Sequence, residues 1–425
     1  MTLAATFLGG AKSRLLPPSI PFRFFAAAAA FHVLMWLVLV LDAAGATSFR
    51  GGGGPPLAAV HLLTLGVLTA TVIGASVQLL PVATRRALSA IWPIKLVFWL
   101  VIPGLILLVT GMYAMQMTAI IVGAAAVTVG LLIFAALLAD NLRRAASLGV
   151  VAAYGWASLA SLILLLILAV ALTLDYETSV LPDHSAAALA HMILGGFGFM
   201  GLLVLGFSHI LVPMFALASA PDKRPSLMVL ALAIGALTLG TSGALAGSRI
   251  ALAVAAMLGM AAAGAHLRLM FAVLAGGMRK RLGLSFVFIR TAWALLPITL
   301  IVGVAALYGY AGANGPTLFG FLLLVGWLLT FLLGILQRIV PFLASMFPTR
   351  TTAGPPRMLS EVAESWPLKL HALCHALAVV GIAAAIVIDN AAVLRAASAV
   401  GLLGALAFAW FMADVLRRMS WAPLP

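Results

Sequence analysis

Charge is what this sequence has least of. Only 8% of its 425 residues are Asp, Glu, Lys or Arg, where a soluble domain carries roughly 25%. That shortage excludes a soluble globular protein. Carboxylates are scarcest, 10 against 24 basic residues, so no transmembrane proton relay of Asp/Glu type is visible. The single cysteine, Cys374, excludes a disulfide framework, and the absence of C-x-x-C-H excludes covalently attached c-type haem.

What is present is apolar: 64% of the residues, with a mean hydropathy of +1.22. Dividing the length by about 35 residues per membrane helix and its loop gives about 12. Runs long enough to cross a bilayer fall near 24–42, 57–80, 94–112, 117–139, 150–174, 186–218, 226–247, 250–275, 287–309, 317–345, 367–388 and 391–415. The first follows Lys12, Arg14 and Arg23 like a signal peptide, but it continues without a convincing cleavage site and reads as helix one. The whole of 1–425 reads as one membrane domain, with the lipid bilayer as its principal partner.

The formal net charge of +14 needs no nucleic-acid partner, because the charges lie almost entirely between the apolar runs. With the N-terminus inside, 21 of the 24 basic residues fall on or near the cytoplasmic side, and only Arg50, Arg249 and Arg395 fall outside. This bias predicts an even number of helices, both termini cytoplasmic, in a bacterial-type inner membrane. Asp140 and Asp414, beside Arg143/Arg144 and Arg417/Arg418, read as interfacial ion pairs.

The chain also repeats. His61 to Pro81 in helix two and Phe321 to Pro341 in helix ten share Gly66/Gly326, Gly74/Gly334 and Pro81/Pro341 at a constant offset of 260. In helix six, His191 and Gly196 match His61 and Gly66; Gly206 and Pro213 match Gly74 and Pro81 after two extra residues, which predicts a local bulge there. Helices four, eight and twelve end alike, in DNLRR, AHLRL and DVLRR. The spacing predicts three four-helix units, near 20–145, 150–278 and 285–418, related by a pseudo-threefold axis with helices two, six and ten innermost.

Three sequential four-helix units resemble subunit I of the heme–copper oxidase superfamily. A closer resemblance is to the NnrS family of twelve-helix, haem- and copper-associated proteins linked to nitric oxide stress. It is carried by Pro21 to Phe25, His61 to Pro81, Val212 to Phe215, the AHLRL from Ala265, and Phe288 to Ile298. The resemblance implies an all-α, oxidase subunit I-like fold and b-type haem, one or two groups, with copper as a further candidate. The His-x-His-Glu expected at the start of helix two in that family is reduced here to Val60-His61-Leu62-Leu63.

Seven of the eight histidines lie inside the spans, where ionisable side chains are costly and therefore candidates for function. His61 and His191 sit within roughly two turns of the outer ends of helices two and six, and together suggest axial ligation of one haem iron. Deeper, at roughly 12–15 Å from the cytoplasmic side, come His32, His209, His266 and His375, with His371 one turn nearer that side. His371 and His375 share a face at i and i+4. With His32, either could hold a second haem between helices one and eleven, or copper. His266 reads as a ligand candidate beside Arg268.

Helix seven, SLMVLALAIGALTLGTSGAL from Ser226, has no histidine, so the copper-binding triad of an oxygen-reducing oxidase is missing. A proton-pumping oxidase is therefore not expected. Gln78 and Gln337 are expected to satisfy carbonyls freed by the helix-ending prolines. Met112, Met115 and Met117 with Gln116 read first as methionines at an apolar interface, with a weak copper(I) handhold as the alternative; Trp92, Trp99, Trp366 and Trp421 are expected to form an aromatic belt, and Arg350 to Glu364 a docking loop. The expectation is a haem protein that takes electrons from a quinol or cytochrome, or binds a diatomic gas such as nitric oxide. If it is an enzyme, it is a haem-dependent oxidoreductase acting on a diatomic or small nitrogen oxide. The competing expectation is a transporter or copper-handling protein without haem.

Overall fold

The structure is a computed structural model that describes residues 16–145, 149–346 and 365–419. The docking loop from Arg350 to Glu364, Trp421, and the basic residues Lys12, Arg14, Arg350 and Arg357 lie outside the described residues.

Among the described residues, 12 helices are long and apolar enough to cross a membrane. They are α1 (Ser19–Leu41), α2 (Pro55–Thr84), α3 (Trp92–Ala114), α4 (Met117–Arg143), α5 (Val150–Thr178), α6 (His184–Ala216), α7 (Lys223–Leu245), α8 (Arg249–Gly276), α9 (Leu284–Leu307), α10 (Gly315–Ser345), α11 (Trp366–Val387) and α12 (Ala391–Arg418). Every one coincides with an apolar run of the sequence to within five residues at either end. A backbone in hydrocarbon must satisfy its own hydrogen bonds, so the apolar runs become helices. Local chemistry sets the starts. Proline opens α2, α3, α10 and α11, where its missing N–H costs nothing. Asp183, Ser248 and Asn390 cap α6, α8 and α12 by accepting from backbone N–H groups.

Hydrogen bonds between loops show that successive helices run in opposite directions. At one face, the α1–α2 loop reaches three others: Asp42 accepts from Tyr113, Thr47 donates to Asp389 at 2.6 Å, and the Phe49 carbonyl accepts from Thr317 at 2.9 Å. At the opposite face, which holds the starts of odd helices and the ends of even ones, Thr84 donates to Asn141 at 2.9 Å and Arg338 to Ser285 at 2.8 Å. We call this the terminal face. Asp140 lies there with Arg143 and Arg144 at 3.3 and 2.7 Å, and Asp414 with Arg417 and Arg418 at 3.0 and 2.9 Å, as the expected ion pairs.

The strongest pairings are between consecutive helices, α3 with α4, α7 with α8 and α11 with α12. Small residues allow them: a Cβ at Gly123 would lie 2.4 Å from the Leu108 nitrogen, so only glycine admits that backbone approach. Around the outside, α4 packs on α5, α8 on α9, and α12 returns to α1. Inside are α2, α6 and α10, whose apolar windows are 72%, 61% and 72% buried against 22–50% for the other nine.

Each of these three enclosed helices contains an eight-residue π-helical segment: Leu62–Thr69 in α2, Leu194–Gly201 in α6 and Leu322–Leu329 in α10. A π segment widens the turn by bonding i to i+5. Thr69 donates to the Thr64 carbonyl at 2.8 Å and Thr330 to the Val325 carbonyl at 2.9 Å, each reaching five residues back. The bulge expected in helix six alone is thus present in all three. Counted from the π segments, the residue standing where His61 stands is Ile193 in α6 and Phe321 in α10. The two extra residues of α6 therefore precede its π segment, and Gly66 corresponds to Gly198 rather than Gly196.

Candidate functional site

The histidines are the main polar groups inside this apolar bundle, and the structure sorts them into three groups. The first comprises His61 and His191, both half-buried and both just ahead of a π segment. His61 donates Nδ1–H to the Leu57 carbonyl at 3.0 Å, one turn back on its own helix. A neutral imidazole has one N–H and one lone pair, so this bond leaves the lone pair on Nε2. His191 has a buried Nδ1 with no hydrogen-bond partner. Their positions differ by two residues relative to the π segments, about 200° of helix rotation, so they are not equivalent.

The second group joins α1 and α11. The ring centroids of His32 and His371 are 6.0 Å apart, and those of His371 and His375 are 5.7 Å apart. Phe288 of α9 stacks on His371 at 5.5 Å and on His375 at 5.4 Å, while Phe408 of α12 covers His371 at 5.0 Å. Hydrogen bonds fix the tautomers. His371 donates Nδ1–H to the Gly404 carbonyl at 3.0 Å, leaving a buried, unpartnered Nε2 lone pair. Trp36 donates its indole N–H to His32 Nε2 at 3.0 Å, so the His32 proton is on Nδ1, which is buried without a partner. As held, His32 spends its lone pair on Trp36 rather than offering it to a metal. Thr330 uses its hydroxyl hydrogen on the Val325 carbonyl and so accepts from His375 Nε2 at 2.8 Å.

The third group lies between α5, α6 and α8. His209 donates Nδ1–H to the Leu205 carbonyl at 2.9 Å, leaving Nε2 buried and unpartnered. The His266 ring lies 5.6 Å from it, with neither nitrogen hydrogen-bonded. Tyr154 of α5 packs on His209 at 5.4 Å and donates to the Ser226 carbonyl at 3.4 Å. The deeper layer expected from the sequence is therefore two separate groups. The remaining histidine, His184, pairs with Asp175 at 2.8 Å near the other face.

Among the described residues, no group of three or more His, Cys, Asp or Glu side chains is placed to hold a metal ion. Cys374 is buried against Gly404 and serves packing. Met115 folds its thioether over Gly53. Gln78 exchanges two hydrogen bonds with the Leu16 backbone, at 3.0 and 3.2 Å, so it anchors the chain ahead of α1 rather than serving the carbonyls freed by Pro81. The amide of Gln337 is buried without a partner. Trp92, Trp99 and Trp366 are exposed on the bundle surface, as a belt requires.

Sequence reasoning missed Trp36, Phe288, Thr330 and Tyr154. Trp36 lies one turn after His32 and could have been read from that spacing; the other three reach their histidines across helices, where sequence carries no signal. No family model matches the chain, and no curated protein matches it.

Proposed function

We propose that the chain is a haem-b-binding membrane protein of the oxidase subunit I-like and NnrS-like type, which transfers electrons or binds nitric oxide. The observation that carries this reading is a shared histidine pattern. His209 and His371 each tie Nδ1–H to a backbone carbonyl and leave a buried Nε2 without a partner, and His61 ties its Nδ1–H to the Leu57 carbonyl in the same way. Fixing the tautomer through Nδ1 is how proteins orient an imidazole that ligates through Nε2. An unpartnered buried nitrogen costs about 1–3 kcal/mol, a cost that ligation offsets.

His61 and His191 are the residues that would hold one haem: His61 keeps the lone pair on Nε2, and His191 retains an unpartnered buried Nδ1. Haem held there by both histidines would supply one-electron chemistry, and a diatomic ligand would bind only where one histidine leaves the iron open. The chain's part is to set each imidazole's tautomer and to surround it with apolar side chains. The second group, centred on His371, stands ready for a second haem, with His32 and His375 as its polar surroundings.

Three π segments in the three enclosed helices support an arrangement of three pseudo-threefold-related units. The concentration of basic residues on the terminal face supports cytoplasmic termini in a bacterial-type inner membrane. A quinol or cytochrome would then deliver electrons.

Reduced-minus-oxidised spectra of protein made with ample haem test the reading, taken with and without nitric oxide or carbon monoxide. A Soret band is expected, and H61A and H191A should abolish or shift the same reduced α-band. A wild-type protein without a Soret band overturns the proposal; bound copper or zinc without iron would instead favour a transporter or copper-handling protein.

A further inference from the structure

We propose that the terminal face carries a site for one anionic phospholipid, seated in a groove between α1, α3 and α12 with its phosphate on Arg23. The groove encloses about 350 Å³ and is walled by Phe22 and Ala26 of α1, Phe98 and Trp99 of α3 and Leu416 of α12, with Ser19 and Arg23 as its polar groups. At 1.5 Å per residue, Arg23 stands about 6 Å inside the start of α1, Trp99 about 10 Å inside the start of α3, and Leu416 about 3 Å from the end of α12. All three helix ends belong to the terminal face, so the groove lies where headgroups give way to acyl chains. Trp99 is 67% exposed, and the exposed Lys95 stands one turn before it on the same side of α3. The groove therefore opens toward lipid and not toward the bundle interior.

Charge and shape together select the occupant. Arg23 donates its Nε–H to the Ser19 carbonyl at 3.0 Å, which turns the side chain back toward the start of α1, and its guanidinium lies 5.4 Å from the centre of the Phe98 ring. Among the described residues it has no carboxylate partner. Asp414, on the same stretch of α12 as Leu416, is engaged by Arg417 and Arg418. Arg23, Lys95, Arg417 and Arg418 thus outnumber the carboxylate beside them, and the surplus favours a headgroup that is negative overall over one that adds an ammonium. A guanidinium takes phosphate two oxygens at a time. A free phosphate ion would use the arginine and leave the apolar walls idle. A phospholipid uses both, because its acyl chain covers Phe22, Ala26 and Phe98 while its phosphate meets Arg23.

Full-length protein in a neutral detergent is mixed with increasing phosphatidylglycerol, or with phosphatidylcholine of the same chains, and bound lipids are counted by native mass spectrometry. The wild type is expected to take its first phosphatidylglycerol about fivefold or more tightly than phosphatidylcholine. R23Q should remove that preference. A26F, which fills the groove and leaves the arginine in place, should remove the tight site as well. K223Q, at the start of α7 on the same face but outside the groove, should bind as the wild type does. Glycerophosphoglycerol, the headgroup without its chains, should leave the lipid in place. Equal binding of the two lipids by the wild type, a preference retained in both R23Q and A26F, or a preference lost in K223Q overturns the inference. Displacement of the lipid by glycerophosphoglycerol or inorganic phosphate at matched concentration also overturns it, since the site would then recognise phosphate alone. If R23Q does not fold, A26F decides, because Ala26 is half-buried on the groove wall and makes no polar contact. None of these residues belongs to a histidine group, so the outcome does not depend on haem.

Discussion

His371 of α11 donates its Nδ1–H to the carbonyl of Gly404 on α12 at 3.0 Å, where a glycine lets those helices approach closely. A Cβ at Gly404 would lie 2.7 Å from the Cys374 Cβ. The glycine thus lets α12 come near enough for its carbonyl to hold the histidine.

G404A should therefore separate the two helices. Overpacking of this kind costs about 1–3 kcal/mol, and thermal unfolding in detergent should register it. C374G removes the opposing Cβ and should restore stability in the G404A background, although alone it costs about 1 kcal/mol as a helix-interior glycine. A double variant no more stable than G404A would show that the clash is elsewhere.

Thr330 accepts from His375 while donating its hydroxyl to the Val325 carbonyl in the π segment of α10. T330V keeps the shape and removes both side-chain bonds, leaving the buried His375 Nε2–H without a partner, while the Val325 carbonyl still accepts from the backbone N–H of residue 330. A loss of about 1–3 kcal/mol is expected, and T330S should retain most of the wild-type stability. Equal melting temperatures for T330V and wild type would count against this pairing.

Trp36 fixes the His32 tautomer by donating to its Nε2. W36F should cost more than the loss of a few contacts, because both His32 nitrogens would then be unpartnered. Adding H32L to W36F should recover part of that loss. A double variant less stable than either single one would contradict the assignment.

The π segment of α2 sets the rotation of His61 relative to the rest of its helix. Deleting Thr64 should convert Leu62–Thr69 to regular α-helix and swing His61 by about 100°. If His61 holds a haem, the corresponding α-band should disappear while the protein still inserts as a multi-pass protein. An unchanged spectrum would separate His61 from the iron.

The sequence by itself determined the twelve helices, nearly to their ends, because crossing hydrocarbon demands long apolar runs with internally satisfied backbones and leaves the few charges at the ends. The spacing of Gly66, Gly74 and Pro81 against Gly326, Gly334 and Pro341 matched α2 to α10 residue for residue, but the π segment that each of them carries was expected in helix six alone. The sequence could also mark the seven histidines inside the spans, since ionisable groups are conspicuous in so apolar a chain. Depth along a helix, however, is only one coordinate. Placing His209 beside His266 and His32 beside His371 depends on which helices adjoin and how each is rotated, and a single π turn changes that rotation. Only the tertiary structure decided those pairings. It alone also decided which ring nitrogen keeps its lone pair, because the hydrogen bonds from Trp36 and to Gly404 and Thr330 exist only when the helices are in place.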